Sequence, residues 1–347
     1  GTTGTGNLTL QNNSATNNQI TVSTTAVNHT GTLTNSGSGA GAVSISAQIG
    51  TNVTGVTQDS SSSTLILSGN NLYNSNTTIN NGTLQITSNT GLGSTTGRTI
   101  VNANGILDLH NVTVGAEPVT LAGGTIKDVT SSLSGDITLT ANSTVSATNS
   151  VDILTLSGVI SESGGSFGLT KTGDGIVILG NASANSTYSG GTTVNAGTLK
   201  AGSSNAPFGS GAVTIASGAA LDLNGKTIAN NITLEGTGVA GYALFNSDTS
   251  AGTVSGSITL ANNATIGGSN PVNISGVISG TSKALTIAGT TTVTLTNTET
   301  YTGATTINSG ATLQLGNGTT AGTLNAASTI TDNGTLTFNA PGDVTYA

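Results

Sequence analysis

The 347-residue sequence contains no cysteine, no methionine and no tryptophan. Without cysteine neither a disulfide framework nor a thiolate metal site can form. Stability must then come from a core large enough to stand alone. Charge is also scarce. Asp, Glu, Lys and Arg make up 6% of the chain, against about 25% in typical soluble domains. The single arginine is Arg98 and the five lysines are scattered, so no basic cluster can displace counterions from phosphates, and nucleic-acid binding is excluded. Fourteen acidic residues against six basic ones give a net charge of −8, which favours solubility. Every apolar run is far too short for a transmembrane helix. The missing methionine and the opening GTTGTGN lead us to expect a processed product or an excerpt of a longer protein, with any targeting segment outside it.

Glycine, threonine, serine and asparagine fill the gap. Disorder is not the expected outcome, because 34% of residues are hydrophobic and they fall in short regular runs. LTL at 8–10, VSI at 43–45, LIL at 65–67, LDL at 107–109 and 221–223, and ITL at 137–139, 232–234 and 258–260 alternate with period 2 between Gly, Asn and Ser. That pattern reads as short strands. No sustained helical period occurs, so almost no helix is expected.

A phrase recurs. Tyr73, Tyr188 and Tyr301 are followed by TTINNGTLQI, SGGTTVNAGTLKA and TGATTINSGATLQL, and the tyrosine numbers differ by 115 and then by 113. The aligned positions are Gly82, Gly197 and Gly310, then Leu84, Leu199 and Leu313. Further matched segments extend the repeat, giving one continuous β-solenoid of about three degenerate units: 1–114, 115–230 and 231–347. Near-constant spacing marks a repeat architecture. Tandem β-sandwiches would give one domain per unit; a parallel β-helix would give several coils of roughly 20–25 residues per unit. Scarce aromatics favour the β-helix, whose narrow core is filled by Val, Ile, Leu and Ala. The Asn-Gly pairs fit hairpin turns or coil corners. At about 4.8 Å per coil, some 15 coils would give a rod on the order of 70 Å.

Residues 169–200 read L-T-K-T-G-D-G-I-V-I-L-G-N, then Tyr188, then S-G-G-T-T-V-N-A-G-T-L-K. This resembles the passenger-associated strand repeat of bacterial autotransporters, with its L-x-K-x-G-x-G opening and Y-x-G-x-T-x-[IV]-x-x-G-x-L continuation. The first copy lacks the Lys-x-Gly-x-Gly opening and carries Asn74-Ser75-Asn76 after its tyrosine. The third copy has an extra Ala311, and in the second Ala182 to Thr187 are inserted before Tyr188. The resemblance implies a right-handed β-helix exported to a Gram-negative cell surface; the family's C-terminal translocator barrel is not among these residues.

Catalytic constellations are hard to find. His29 and His110 are the only neutral-pH bases and lie far apart in the chain. No G-x-S-x-G elbow occurs. Asp108 and Asp222 occupy equivalent positions in LDL phrases, which raises the polysaccharide-cleaving carboxylates of other β-helices. Alternation with buried leucines is instead expected to point them outward or to make them cap a turn. Asp174 sits in a Gly-Asp-Gly turn without a calcium-binding nonapeptide. The tyrosines fit an adhesive stripe or, next to glycine, structural plugs at corners, and the plug is the favoured reading. No catalytic residue, cofactor or metal is therefore expected. The expected function is a non-enzymatic extracellular scaffold: a stalk, adhesin body or fibre segment on a bacterial surface. Its partners would be host or microbial surface glycans or proteins, or copies of itself joined end to end. A self-assembling filament subunit is the main alternative, suggested by a repeat that runs from the first strand to GDVTYA. A polysaccharide-active enzyme is a weaker one.

Overall fold

A computed structural model of the chain describes residues 2–16 and 19–343. The terminal VTYA therefore lies outside the described residues. The chain divides into two compact units, Gly1–Leu169 and Thr170–Ala347. Each is a parallel β-solenoid, and no helix is present among the described residues. None is therefore long and apolar enough to cross a membrane.

In the first unit, one ladder carries Leu8–Leu10, Gly31–Asn35, Val53–Asp59 and the first halves of Thr77–Ile86 and Thr99–His110, then Val119–Ala122, Ile137–Ala141 and Ile160–Glu162. Register partners run Leu8, Leu33, Val56, Thr77, Thr99, Val119, Ile137 and Ile160. The longest coil in this series leads from Leu8 to Leu33 and the shortest from Val119 to Ile137. A second ladder runs through Val43, Leu65, Leu84, Leu107, Ile126 and Val145. A third face begins at Thr113–Val114 and continues through Ser131–Leu133 and Ile153–Leu156. The second unit has the same plan: one face on Thr192–Val194, Val213–Ile215 and Ile232–Gly236, a second on Gly197–Ala201, Ala219–Asp222 and Leu244–Asn246, and a third on Thr227–Ile228, Gly252–Val254 and Val272–Ile274.

Alternation dictates the core. In Val43–Ile45 and Leu65–Leu67 the outer residues of each triplet are fully buried and the middle one is half-exposed. Stacking puts like on like, so Leu199, Leu221, Leu244, Ile266, Ile287 and Ile307 form one buried column. The strand positions of this core are filled mainly by small and branched aliphatic side chains, while the fully buried rings of Tyr73, Tyr188, Tyr301 and Phe208 lie outside the strands.

The ladders are parallel throughout, so the sandwich alternative falls, and so does the hairpin reading of Asn81-Gly82 and Asn104-Gly105. These two pairs stack in register inside long strands that bend from one face to the next. The asparagines bond up the corner: Asn81 Nδ2 donates to Asp59 Oδ1 at 2.8 Å and Asn102 Nδ2 to Asn80 Oδ1 at 2.8 Å.

The repeat and the coil have different periods. In the second copy the first strand (Thr192–Val194) lies on the first face and Leu199 on the second. In the third copy the first strand (Thr305–Ile307) lies on the second face and Leu313 on the third. Five coil steps lead from Leu199 to Ile307. The spacing from the second copy to the third is thus five turns plus one face. Tyr188 and Tyr301 occupy different corners, a placement incompatible with an aromatic stripe.

Candidate functional site

The three tyrosine corners share one local geometry. Tyr73, Tyr188 and Tyr301 are fully buried. Each phenol shares a hydrogen bond with the threonine four residues on: Thr77 at 2.7 Å, Thr192 at 2.6 Å and Thr305 at 2.6 Å. Burial pushes all three phenols up, Tyr301 to about 12. In the first two copies the ring packs on a glycine of the following coil. A Cβ on Gly93 would lie 3.0 Å from two ring carbons of Tyr73, and one on Gly209 would lie 2.9 and 3.0 Å from Tyr188. The side chain needs the missing Cβ.

Leu84, Leu199 and Leu313 are fully buried in their columns. Gly82, Gly197 and Gly310 have φ of +67°, +64° and +87°, conformations that glycine adopts without strain. They also sit against backbone: a Cβ would meet Ser60 O at 2.1 Å from Gly82, and Gly173 O and Gly175 O at 2.5 Å from Gly197, but only Gly289 O at 3.2 Å from Gly310.

Lys171 explains why the opening motif has its form. This lysine is fully buried, and its ammonium donates to the carbonyls of Gly173, two residues on, Gly175 at 2.7 Å and Ala196, on the next coil, at 2.8 Å. A buried ammonium is tolerable only with such a set of acceptors. The glycines of L-x-K-x-G-x-G let the chain curl round to present them, Gly173 at φ +74°.

A family model described as the passenger-associated-transport-repeat matches residues 60–86, 169–201 and 285–315. These three segments are passenger-associated-transport repeats. A curated relative, Adhesin BmaC autotransporter of Brucella suis biovar 1 (strain 1330), is 33% identical over 236 residues, which cover 64% of this chain and 6% of that protein. The chain thus corresponds to a small fraction of its relative's length. No solved structure matches the chain significantly.

Just before the first matched segment, the structure supplies what the first copy lacks in sequence. Gln58 takes the place of the lysine: its Nε2 donates to Ser60 O at 2.7 Å and Ser63 O at 2.9 Å, and its Oε1 accepts from Asn35 Nδ2 at 2.8 Å. In the third copy the buried aliphatic Ile287 occupies the position. Asn246, outside the matched segments, makes the same staple, donating to Asp248 O, Ser250 O and Pro271 O at 3.0, 2.8 and 2.9 Å. The signal available in sequence was a polar residue two before a Gly- or Ser-rich turn; its reach to the next coil was invisible.

Asp108 and Asp222 are each held by local partners. Asp108 and Asp222 lie in different units. Both alternate with core leucines, yet they are buried, 4% and 2% exposed, where alternation alone would leave an outward side chain in solvent. Neighbouring coils cover them. Lys127 pairs with Asp108 at 3.3 Å from the coil after it, and Lys200 with Asp222 at 3.3 Å from the coil before it. Gln85 Nε2 donates to Asp108 Oδ2 at 3.0 Å. Asp222 Oδ1 also caps a turn, accepting from the Asn224 and Ser247 amides at 2.9 Å. Because the Lys127 side chain is 37% exposed, Lys127→Ala should cost less than about 1 kcal/mol. A double-mutant cycle with Asp108→Asn in urea denaturation checks this.

The histidines are equally occupied by local contacts. His29 is buried, with Nδ1 against Thr2 Oγ1 at 2.9 Å and Nε2 against Thr32 O at 3.1 Å, and His110 Nδ1 lies 3.5 Å from Gln85 Nε2. Asp174 lies in an exposed turn. No group of three or more metal-ligating side chains occurs among the described residues.

Surface grooves run between the coils as well. One of about 450 Å³ in the first unit is lined by Asn111, Thr113, Thr130, Ser132, Thr155 and Ile153, with Val112 and Ser131 completing it. Another of about 340 Å³ in the second unit is bounded by Asn185 of the inserted loop, Ser204, Ser210 and Asn230. Both offer neutral hydroxyl and amide groups and no charge.

Proposed function

We propose that this chain is a non-enzymatic spacer segment of an autotransporter passenger, displayed on a bacterial surface. There it holds adhesive parts of a longer protein away from the membrane. The observation that carries this reading is the use made of the repeat's distinctive side chains. Tyr188, Lys171 and their counterparts are buried and point into corners or neighbouring coils, so what recurs is the framework and not an exposed surface. The adhesin named as a relative supports the surface setting. Neutral Thr, Ser and Asn groups in the two grooves would make weak hydrogen bonds with surface glycans as a secondary role.

Replacing this segment, in the full-length protein on a cell, by an unrelated β-solenoid with the same number of coils tests the proposal. Adhesion to host cells should persist. Loss of adhesion with display unchanged would mean that the segment itself binds.

A further inference from the structure

In the first and third repeats the position two residues before the tyrosine caps the coil beneath it. In the first repeat this is Asn71. Its amide nitrogen donates to Thr90 O at 3.3 Å, its Oδ1 accepts from the Ile49 amide at 2.9 Å, and its Nδ2 donates to Gly91 O at 2.8 Å. Leu72 N closes the set onto Ile49 O at 2.8 Å. In the third repeat the same place is taken by Glu299. Glu299 N donates to Thr323 O at 2.9 Å, Glu299 Oε2 accepts from the Ile278 amide, and Thr300 N donates to Ile278 O at 2.9 Å. Three of the four bonds are reproduced one for one.

The fourth is the difference. Asn71 has an NH2 group to offer to Gly91 O; a carboxylate has no hydrogen. Glu299 is completely buried, and its Oε1 receives no hydrogen bond. An ionised carboxylate so placed would be a buried charge with one oxygen unsolvated, which is strongly unfavourable. The residue equivalent to Gly91 is Leu324, whose carbonyl accepts no hydrogen bond among the described residues.

We propose that Glu299 is held as the neutral carboxylic acid, its Oε1 hydroxyl donating to Leu324 O as Asn71 Nδ2 donates to Gly91 O, and that its ionisation unlatches the third repeat's tyrosine corner. Charged neighbours do not offset this. Lys283, on the turn whose carbonyl accepts from Gly303 N, directs its ammonium to Asn262 Oδ1 at 3.5 Å. Residues 323–328 and the strand Ile278–Ser279 contain no titratable side chain, and the titratable group beside it is Tyr301, itself pushed up to about 12. Burial pushes Glu299 up from 4.5 to about 7, only partly opposed by the Ile278 amide. The folded value is above the unfolded one. The stabilising contribution is therefore complete below about pH 4.5 and is lost as pH rises through about 7.

The test is a pH titration of the full chain against Glu299→Gln, which restores an NH2 donor. By carboxyl-carbon NMR, Glu299 should titrate near pH 7. Hydrogen exchange at Thr300 and Tyr301 should show open populations at least about tenfold larger at pH 8 than at pH 5 in the wild type. The Gln variant should lack that difference. Glu117, also raised to about 7 in the first unit, is common to both proteins and cancels in the comparison. A Glu299 carboxyl that titrates in the ordinary carboxylate range overturns the proposal, as does a Gln variant weakened equally at both pH values. If that variant does not fold, the wild-type titration decides alone.

Discussion

Tyr188→Ala should destabilise the second repeat by roughly 3–5 kcal/mol, the usual range for deleting a fully buried ring from a site that cannot collapse. The site is rigid because the ring lies on Gly209, at φ +67°, and the corner backbone there is fixed by Ser210 N donating to Tyr188 O at 2.9 Å. Tyr188→Phe keeps the ring and loses only the phenol bond to Thr192 at 2.6 Å, a loss of about 1 kcal/mol. Urea denaturation gives the size of each effect, and hydrogen exchange shows its extent along the solenoid, since each coil contacts chiefly its neighbours. An adhesive tyrosine would behave differently: alanine would abolish binding and leave stability nearly unchanged.

Replacing Lys171 by methionine should cost roughly 2–5 kcal/mol, since each buried carbonyl left unpaired costs about 1–3 kcal/mol. The methionine fills the space and leaves the carbonyls of Gly173 and Ala196 without the lysine's hydrogens, while Gly175 O keeps only the Thr198 amide at 3.1 Å. Lys171→Gln should recover a large part of that loss, because Gln58 already donates in this way at the equivalent place in the first repeat. Gly197→Ala should approach the methionine variant in severity: its Cβ would lie 2.5 Å from Lys171 Nζ and from two of the same carbonyls. Thermal and urea denaturation of the three variants check the order. A glutamine variant no better than methionine would show that the charge, and not the donor, is what the corner requires.

The Lys171 and Tyr188 sites show what sequence could reveal. Period-2 alternation in LTL, VSI and LIL identified strands because alternate side chains must face opposite sides of a pleated sheet. The tyrosine phrase revealed the repeat, and the lysine motif pointed to the family. The structural use of Lys171 stayed hidden, since the carbonyl it takes from Ala196 belongs to the next coil, far along the sequence. The burial of Asp108 and Asp222 was hidden for a related reason: alternation gives a side chain's direction but not what neighbouring coils place over it. Lys127 and Lys200 become partners only through parallel register.

By itself the sequence determined the fold class, the short aliphatic strands and the places where only glycine can turn the chain, because these depend on local sterics and on a pattern that a few neighbouring residues carry. Only the tertiary structure decided which residues meet. Each coil stacks positions that no short window contains, as it does Val119 on Ile137 and Ile232 on Ile258. Five turns plus one face do not bring the second and third repeats to the same side. Tertiary stacking therefore set the second and third copies of one phrase at different corners, and put Glu299 in the place where the first repeat has Asn71.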